Sequence, residues 1–317
     1  GHPHGTVHDT SLGQTALELG LVCSLTVLAL FLSYSMLNVC DLSTDGCFTL
    51  GAAVGAVVAL AGHPWLSLGA AMAAGIISGF VVAVLQTRMG VNSLLAGIIV
   101  NTGLYSINIS VMGGSSMLNM NKTETVFSIV KTALNGTSFE GAYRLVVSGA
   151  AVIAALLILT LFLRTRLGLA IRATGNNPDM VRSSSINPAF TTTVGLCIAN
   201  AITALSGCLL AQSQKAVDIN LGTGMVTIAL ASLLIGGTVM GCGGVFRRAV
   251  GVVLGAIIFR LVYTVALRLN MPAFMLKLVS SVIVVLAISI PYLKAQLPML
   301  RRRMAVRTAS GAKGGRE

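Results

Sequence analysis

The sequence predicts an all-α polytopic membrane protein with about eight to nine transmembrane helices, one of them short or re-entrant. Three observations carry that prediction. Hydrophobic residues make up 55% of the 317-residue chain and charged residues only 9%, at a mean hydropathy of +0.89. No soluble domain of this size hides so much apolar surface, so the solvent is lipid. The apolar residues fall into long runs separated by polar breaks, and Gly is abundant at 35, as expected where membrane helices pack closely. When the runs alternate in direction, Arg88, the cations between Arg164 and Arg182, Arg247 with Arg248, and the basic tail all reach one side. Lys/Arg bias assigns that side to the cytoplasm.

Residues 16–37 are the first span, and no cleavable signal is expected ahead of it. Residues 1–11 read as a tail, partly an expression-tag remnant, whose three His could hold a metal only by accident. The polar stretch 38–46 follows, then a run at 48–62 whose roughly 15 residues barely cross a bilayer. The segment 41–46 is therefore expected within membrane depth as a broken helix, which is tolerated where it is buried in protein or lines a wet cavity. His63-Pro64 turns the chain into a span at 65–87. The next, 91–112, is dotted with Asn92, Asn101, Tyr105 and Asn108.

Residues 113–141 form the largest outer loop, and 142–163 lead back to the cytoplasmic side. There the chain carries its longest cation-bearing interruption, a loop at 164–189 with Arg164, Arg166, Arg172 and Arg182. Asn177 is placed to cap a short helix with Pro178 at its first position and Asp179 where the helix dipole favours an acid. The loop thus presents a short rigid helix, suited to a soluble partner that pushes on it; an ordinary connector is the alternative. Spans at 190–212 (outward), 225–242 (inward), 249–267 (outward) and 277–293 (inward) complete a permease domain at 12–293. Residues 294–317 are a basic cytoplasmic tail, and the N-terminus is outside unless the short run is re-entrant. No internal repeat is strong enough to name. The net charge of +12 is read as topology and not as a nucleic-acid surface; contact of the tail with anionic lipid is a compatible alternative.

The chain has no GxxxxGK[ST] phosphate loop, no HExxH, and no acid–base or nucleophile constellation, so it reads as non-catalytic and metal-free. Its six cysteines form no CxxC and serve as small hydrophobes. Asp41 and Asp45 are costly at membrane depth and either line a pathway or sit at the interface, with Asp41 capping a helix start. Asn101, Tyr105 and Asn108 share one helical face, which either lines a solute path or bonds neighbouring helices. Gln212, Gln214, Lys215 and Asp218 at the outer mouth touch a delivery protein or are solvated loop.

The stretches Asp41-Leu-Ser-Thr-Asp-Gly-Cys-Phe-Thr-Leu-Gly-Ala and Ser93-Leu-Leu-Ala-Gly-Ile-Ile-Val-Asn-Thr-Gly-Leu-Tyr-Ser-Ile-Asn resemble permease subunits of bacterial ABC importers. The branch they resemble is the tryptophan/tyrosine type, related to branched-chain amino acid permeases. Ala173-Thr-Gly-Asn-Asn-Pro-Asp-Met-Val-Arg182 is similar to that family's coupling loop. Leu205-Ser-Gly-Cys-Leu-Leu-Ala-Gln-Ser-Gln, Asp218-Ile-Asn-Leu-Gly-Thr-Gly-Met and Leu276-Lys-Leu fit as well, over roughly residues 12–293. Lys215 and the run Ser183-Ser184-Ser185 depart from the pattern. The resemblance implies a multi-pass protein of the bacterial inner membrane that moves a small solute, an amino acid of aromatic or other hydrophobic type. It implies a second permease copy as a homodimer partner, two ATPase subunits that hold ATP and Mg, and an extracytoplasmic substrate-binding protein. On it, Asn176, Asn177, Pro178, Asp179, Met180, Arg182 and Ile186 couple to the ATPase. Asp41, Ser43, Asp45, Asn92, Asn101, Tyr105 and Asn108 line the pathway, and Gln212, Lys215 and Asp218 dock the binding protein. The rival expectation is an ion-coupled secondary transporter, which needs inverted repeats and intramembrane carboxylates.

Overall fold

A computed structural model of the chain describes residues 4–138, 140–241, 243–270 and 272–313. The helices are α1 (His4–Leu30), continued by a π-helical turn Phe31–Met36, then α2 (Thr44–Leu60), α3 (Pro64–Thr87), α4 (Ser93–Val111) and α5 (Val126–Ala133). After them come α6 (Tyr143–Arg164), α7 (Arg166–Asn176), α8 (Pro178–Ser183), α9 (Pro188–Gln214), α10 (Met225–Met240), α11 (Val245–Arg268) and α12 (Leu276–Lys313). Two short strands, β1 (Met117–Asn119) and β2 (Ala216–Asp218), pair antiparallel with Leu118 opposite Val217. Seven of the described helices are long and apolar enough to cross a membrane; α2 and α10 are apolar but shorter.

Local chemistry explains the helix starts. Asn92 accepts a hydrogen bond from the Leu94 N–H (3.0 Å) and Asn187 one from Ala189 (3.1 Å), each capping a first turn. Pro opens α3, α8 and α9, where a missing N–H costs nothing.

Helix α9 is the hub, with α1, α2 and α3 laid along it. A Cβ on Gly51 would run into the Ala204 backbone, and one on Gly207 into the Phe48 carbonyl, so α2 and α9 meet backbone to backbone. Close approach of this kind replaces the hydrophobic drive that lipid removes. Helix α1 runs antiparallel to α9: Ser206 Oγ donates to the Val22 carbonyl (2.7 Å), while Leu37 packs at Gly195. The cation-bearing helix ends are called the inner face below, and the face carrying β1 and β2 the outer.

The break expected at 41–46 is present but lies earlier, at 38–43, since Thr44, Asp45 and Gly46 already form the first turn of α2. From Leu37, near the inner face, residues 38–43 climb back without helix to the level of Asn200, halfway along α9, and α2 runs from there to the outer face. The expectation of a full-length span at 225–242 is corrected. After β2 the chain dips inward through Gly222, whose added Cβ would strike the Asp45 carbonyl, and α10 starts at that depth. Its 16 residues run to the inner face; Cys242, which that span included, lies outside the described residues. Helices α2 and α10 therefore begin at one depth and leave in opposite directions. The starts share a Gly-x-x-Thr, Gly46 to Thr49 and Gly224 to Thr227, a pairing too short to stand out as a repeat.

Other boundaries move as well. The outer loop contains β1 and α5, the residues read as a basic tail continue α12 through Pro291 and Pro298 to Lys313, and α1 begins at His4, inside the stretch read as a tail.

Candidate functional site

A polar cavity of about 360 Å³ lies where α2, α4 and the segment 219–223 meet. Asp45 and Thr49 come from the first turns of α2; Asn101, Thr102, Tyr105 and Asn108 come from one face of α4; Asn220 and Thr223 come from the dip before α10. The Asp45 carboxylate caps α10, accepting from the Gly224 N–H (3.2 Å) and the Val226 N–H (3.0 Å). Its charge is thus met by backbone donors at a helix N-terminus, a favourable place for an anion. Thr49 Oγ1 donates to the Asp45 carbonyl (3.2 Å) and accepts from the Gly222 N–H (3.1 Å), locking the two short helices together.

The α4 wall is less committed. Asn108 Nδ2 donates to the Gly46 carbonyl (3.3 Å), but its buried Oδ1 has no partner among the described residues. Asn101 sits within reach of Gly46, where a Cβ would come to 2.6 Å of its Oδ1. Tyr105 is 54% exposed, on the side of α4 that also exposes Leu94 and Ile98. The cavity therefore offers hydrogen-bonding groups to a solute and opens out of the subunit at membrane depth. A larger groove of about 800 Å³ between α3, α6 and α9 is lined almost wholly by aliphatic side chains and offers a polar solute nothing.

Of the residues expected on a pathway, Asp45, Asn101, Tyr105 and Asn108 converge here, and Asp41, Ser43 and Asn92 do not. Asp41 is 3% exposed and its oxygens are fully engaged. They accept from the Ser43 N–H (2.9 Å), Ser43 Oγ (2.6 Å) and Asn200 Nδ2 (3.0 Å). That closed cluster pins the broken segment to the middle of α9. Asn92 caps α4 near the inner face. Thr49, Thr102, Asn220 and Thr223 join the site without having been singled out; their sequence signal was membership of the stretches 41–52, 93–108 and 218–225 that carry the family resemblance.

At the inner face, Asn177 Oδ1 accepts from both Asp179 (3.1 Å) and Met180 (3.2 Å), so α8 is capped as expected. Asn176, Pro178, Asp179, Met180, Arg182 and Ile186 face outward, while Val181 is buried and anchors the helix. Thr174 Oγ1 meets Thr191 Oγ1 at 2.8 Å, tying α7 to α9. Gly175 lies so close to Met36 that a Cβ would collide with the Met36 carbonyl. The π-helical turn at Phe31–Met36, an irregularity frequent at functional sites, thus touches α7 at one end and leads into the broken segment at the other.

At the outer face Gln212 is buried rather than available for docking. Its Oε1 accepts from the Val126 N–H (3.1 Å) and its Nε2 donates to Ser67 Oγ (2.5 Å), joining α9, α5 and α3. Lys215 ends α9 in the left-handed region at φ 55°, and Asp218 Oδ1 accepts from the Asn220 N–H (3.1 Å). Both remain partly exposed at the ribbon.

Residues 15–288 match the family model described as the branched-chain amino acid transport system permease component. The chain is 31% identical over 266 residues to the tyrosine transport system permease protein of Clostridioides difficile, covering 84% of this chain and 86% of that one. It is 28% identical over 221 residues to the galactose/methyl galactoside import permease protein of Haemophilus influenzae, 69% of this chain and 63% of that one. An uncharacterized protein of Rickettsia prowazekii is 34% identical over 224 residues, 70% and 75% of the two chains. No solved structure matches.

Proposed function

Since the chain belongs to the family of branched-chain amino acid transport system permease components, we propose that it forms half of an ATP-driven import pathway for an amino acid, aromatic or otherwise hydrophobic. The cavity at Asp45 is the observation that carries this reading. Asp45 keeps its two backbone donors whether or not a solute ammonium is present, so the site can release what it binds without stranding a charge. Asn101, Tyr105 and the free Oδ1 of Asn108 supply neutral hydrogen bonds, suited to transit rather than tight capture. A polar wall facing lipid has nothing to bond with, so a second copy of the chain closes it and makes a pathway between the two.

The chain has no phosphate loop, so the energy enters through partners. Two ATPase subunits, carrying ATP and Mg, seat on the exposed side of α8 around Asp179, Met180 and Arg182. Their closure moves α7, which bears through Gly175 on Met36 and so on residues 37–43, Asp41 and the start of α2. Asp45 then shifts against α4, and the cavity faces one side of the cytoplasmic membrane or the other. A binding protein delivers solute at the outer ribbon near Lys215 and Asp218. The tyrosine-transport relative supports an aromatic amino acid.

The test is uptake into vesicles holding this chain with its ATPase and binding protein. Tyrosine or tryptophan accumulation that needs internal ATP is expected. Galactose accumulation instead would replace the substrate class. Opposed half-helices at mid-depth also build the sites of ion-coupled carriers. Uptake without nucleotide that follows a proton or sodium gradient would therefore overturn the ATP-driven reading.

A further inference from the structure

A second cavity, of about 500 Å³, lies toward the inner face between the π-helical turn after α1, the second half of α10, the start of α11 and the middle of α12. Its mouth carries two cations from different helices, Arg248 of α11 and Lys294 of α12, with the hydroxyls of Ser35 and Thr238 beside them. No acidic side chain is among its described lining residues. Arg248 lies in the first turn of α11, which has no acid of its own, so a cation sits where the helix dipole is already positive. The Arg248 guanidinium lies over the Phe31 ring, 5.7 Å from its centroid, a cation–π contact that holds the cation at the cavity. The rest of the wall is mostly apolar, Phe31, Leu234 and Val252 among it, and Tyr34 also lines it.

Convergent positive charge at the inner membrane surface, above an apolar wall, is complementary to one kind of molecule. We propose that this cavity is a binding site for the phosphate of an anionic phospholipid of the inner leaflet, with Arg248 and Lys294 holding the phosphate and the apolar wall holding the upper acyl chain. Free phosphate shares the anion chemistry but has no use for the wall. Basic pockets between helices on the cytoplasmic side are general lipid-recognition features. The site is separate from the cavity at Asp45 and does not depend on what the protein transports.

The experiment uses the full chain exchanged into nanodiscs of mixed phosphatidylglycerol and phosphatidylcholine, followed by native mass spectrometry of the lipids it retains. Wild-type chain is expected to keep phosphatidylglycerol over phosphatidylcholine by about tenfold. Arg248→Gln with Lys294→Gln should abolish that preference, whereas Arg301→Gln with Arg302→Gln on the same α12 should keep it. Lys294→Gln alone, on an exposed side chain that does not threaten folding, should lower it about threefold. Equal retention of both lipids by wild type, or equal loss in the tail variant, would overturn the site. Thermal stabilisation by inorganic phosphate as large as that by phosphatidylglycerol would overturn its assignment to lipid.

Discussion

Asp41 and Asp45 are four residues apart at the same break in the chain, yet they end in opposite situations. Asp41 is spent on its own turn and on Asn200, with no oxygen left over for a solute. Asp45 is held by backbone donors of a helix that begins about 180 residues later, and it faces a cavity. The difference teaches that a carboxylate at membrane depth is not by itself a pathway residue. What matters is whether packing buries it among its partners or leaves it facing a cavity.

The sharpest test of that contrast is Asp41→Ala. It leaves Asn200 bonded only within α9 and unpins the broken segment, and about 3 kcal/mol of stability should be lost, read as the thermal midpoint in detergent. Unchanged stability would erase the contrast. Asp45→Asn should do the reverse. The single amide oxygen still accepts from one of the Gly224 and Val226 N–H groups and leaves the other unpaired, so stability should fall by about 2 kcal/mol, less than for Asp41→Ala. Solute uptake should drop about tenfold, because a charge-assisted bond to the solute is gone. Next in size is Gly175→Val, which probes how the pair is driven. Pushing α7 off Met36 should cut uptake about fivefold while the ATPase subunits still co-purify and hydrolyse ATP. Equal loss of uptake and hydrolysis would place the defect elsewhere. The smallest effects should come from Asp179→Ala and Arg182→Ala, exposed at the far end of the same chain of contacts. Each should weaken ATPase co-purification about threefold without altering membrane insertion.

Much of the architecture was legible because membrane segments announce themselves by length and composition. The cap at Asn177 was local as well, a side chain bonded to the backbone two and three residues on. The stripe of Asn101, Tyr105 and Asn108 followed from helical spacing alone. What resisted reading was long-range. Gln212 looks like an outer-mouth residue in sequence, but Val126 and Ser67 claim it inside the protein. Residues 225–242 look like a full span because nothing local records that Gly222 has already carried the chain down to Asp45.

The sequence alone determined that this chain lives in lipid, how its segments alternate, and which face carries the cations. Those properties depend on transfer free energy and charge, which add up residue by residue. Only the tertiary structure decided which acid is a joint and which faces the cavity, and that two half-helices meet head to head. Those outcomes depend on donors supplied from more than 150 residues away, and a hydrogen bond has no memory of sequence distance.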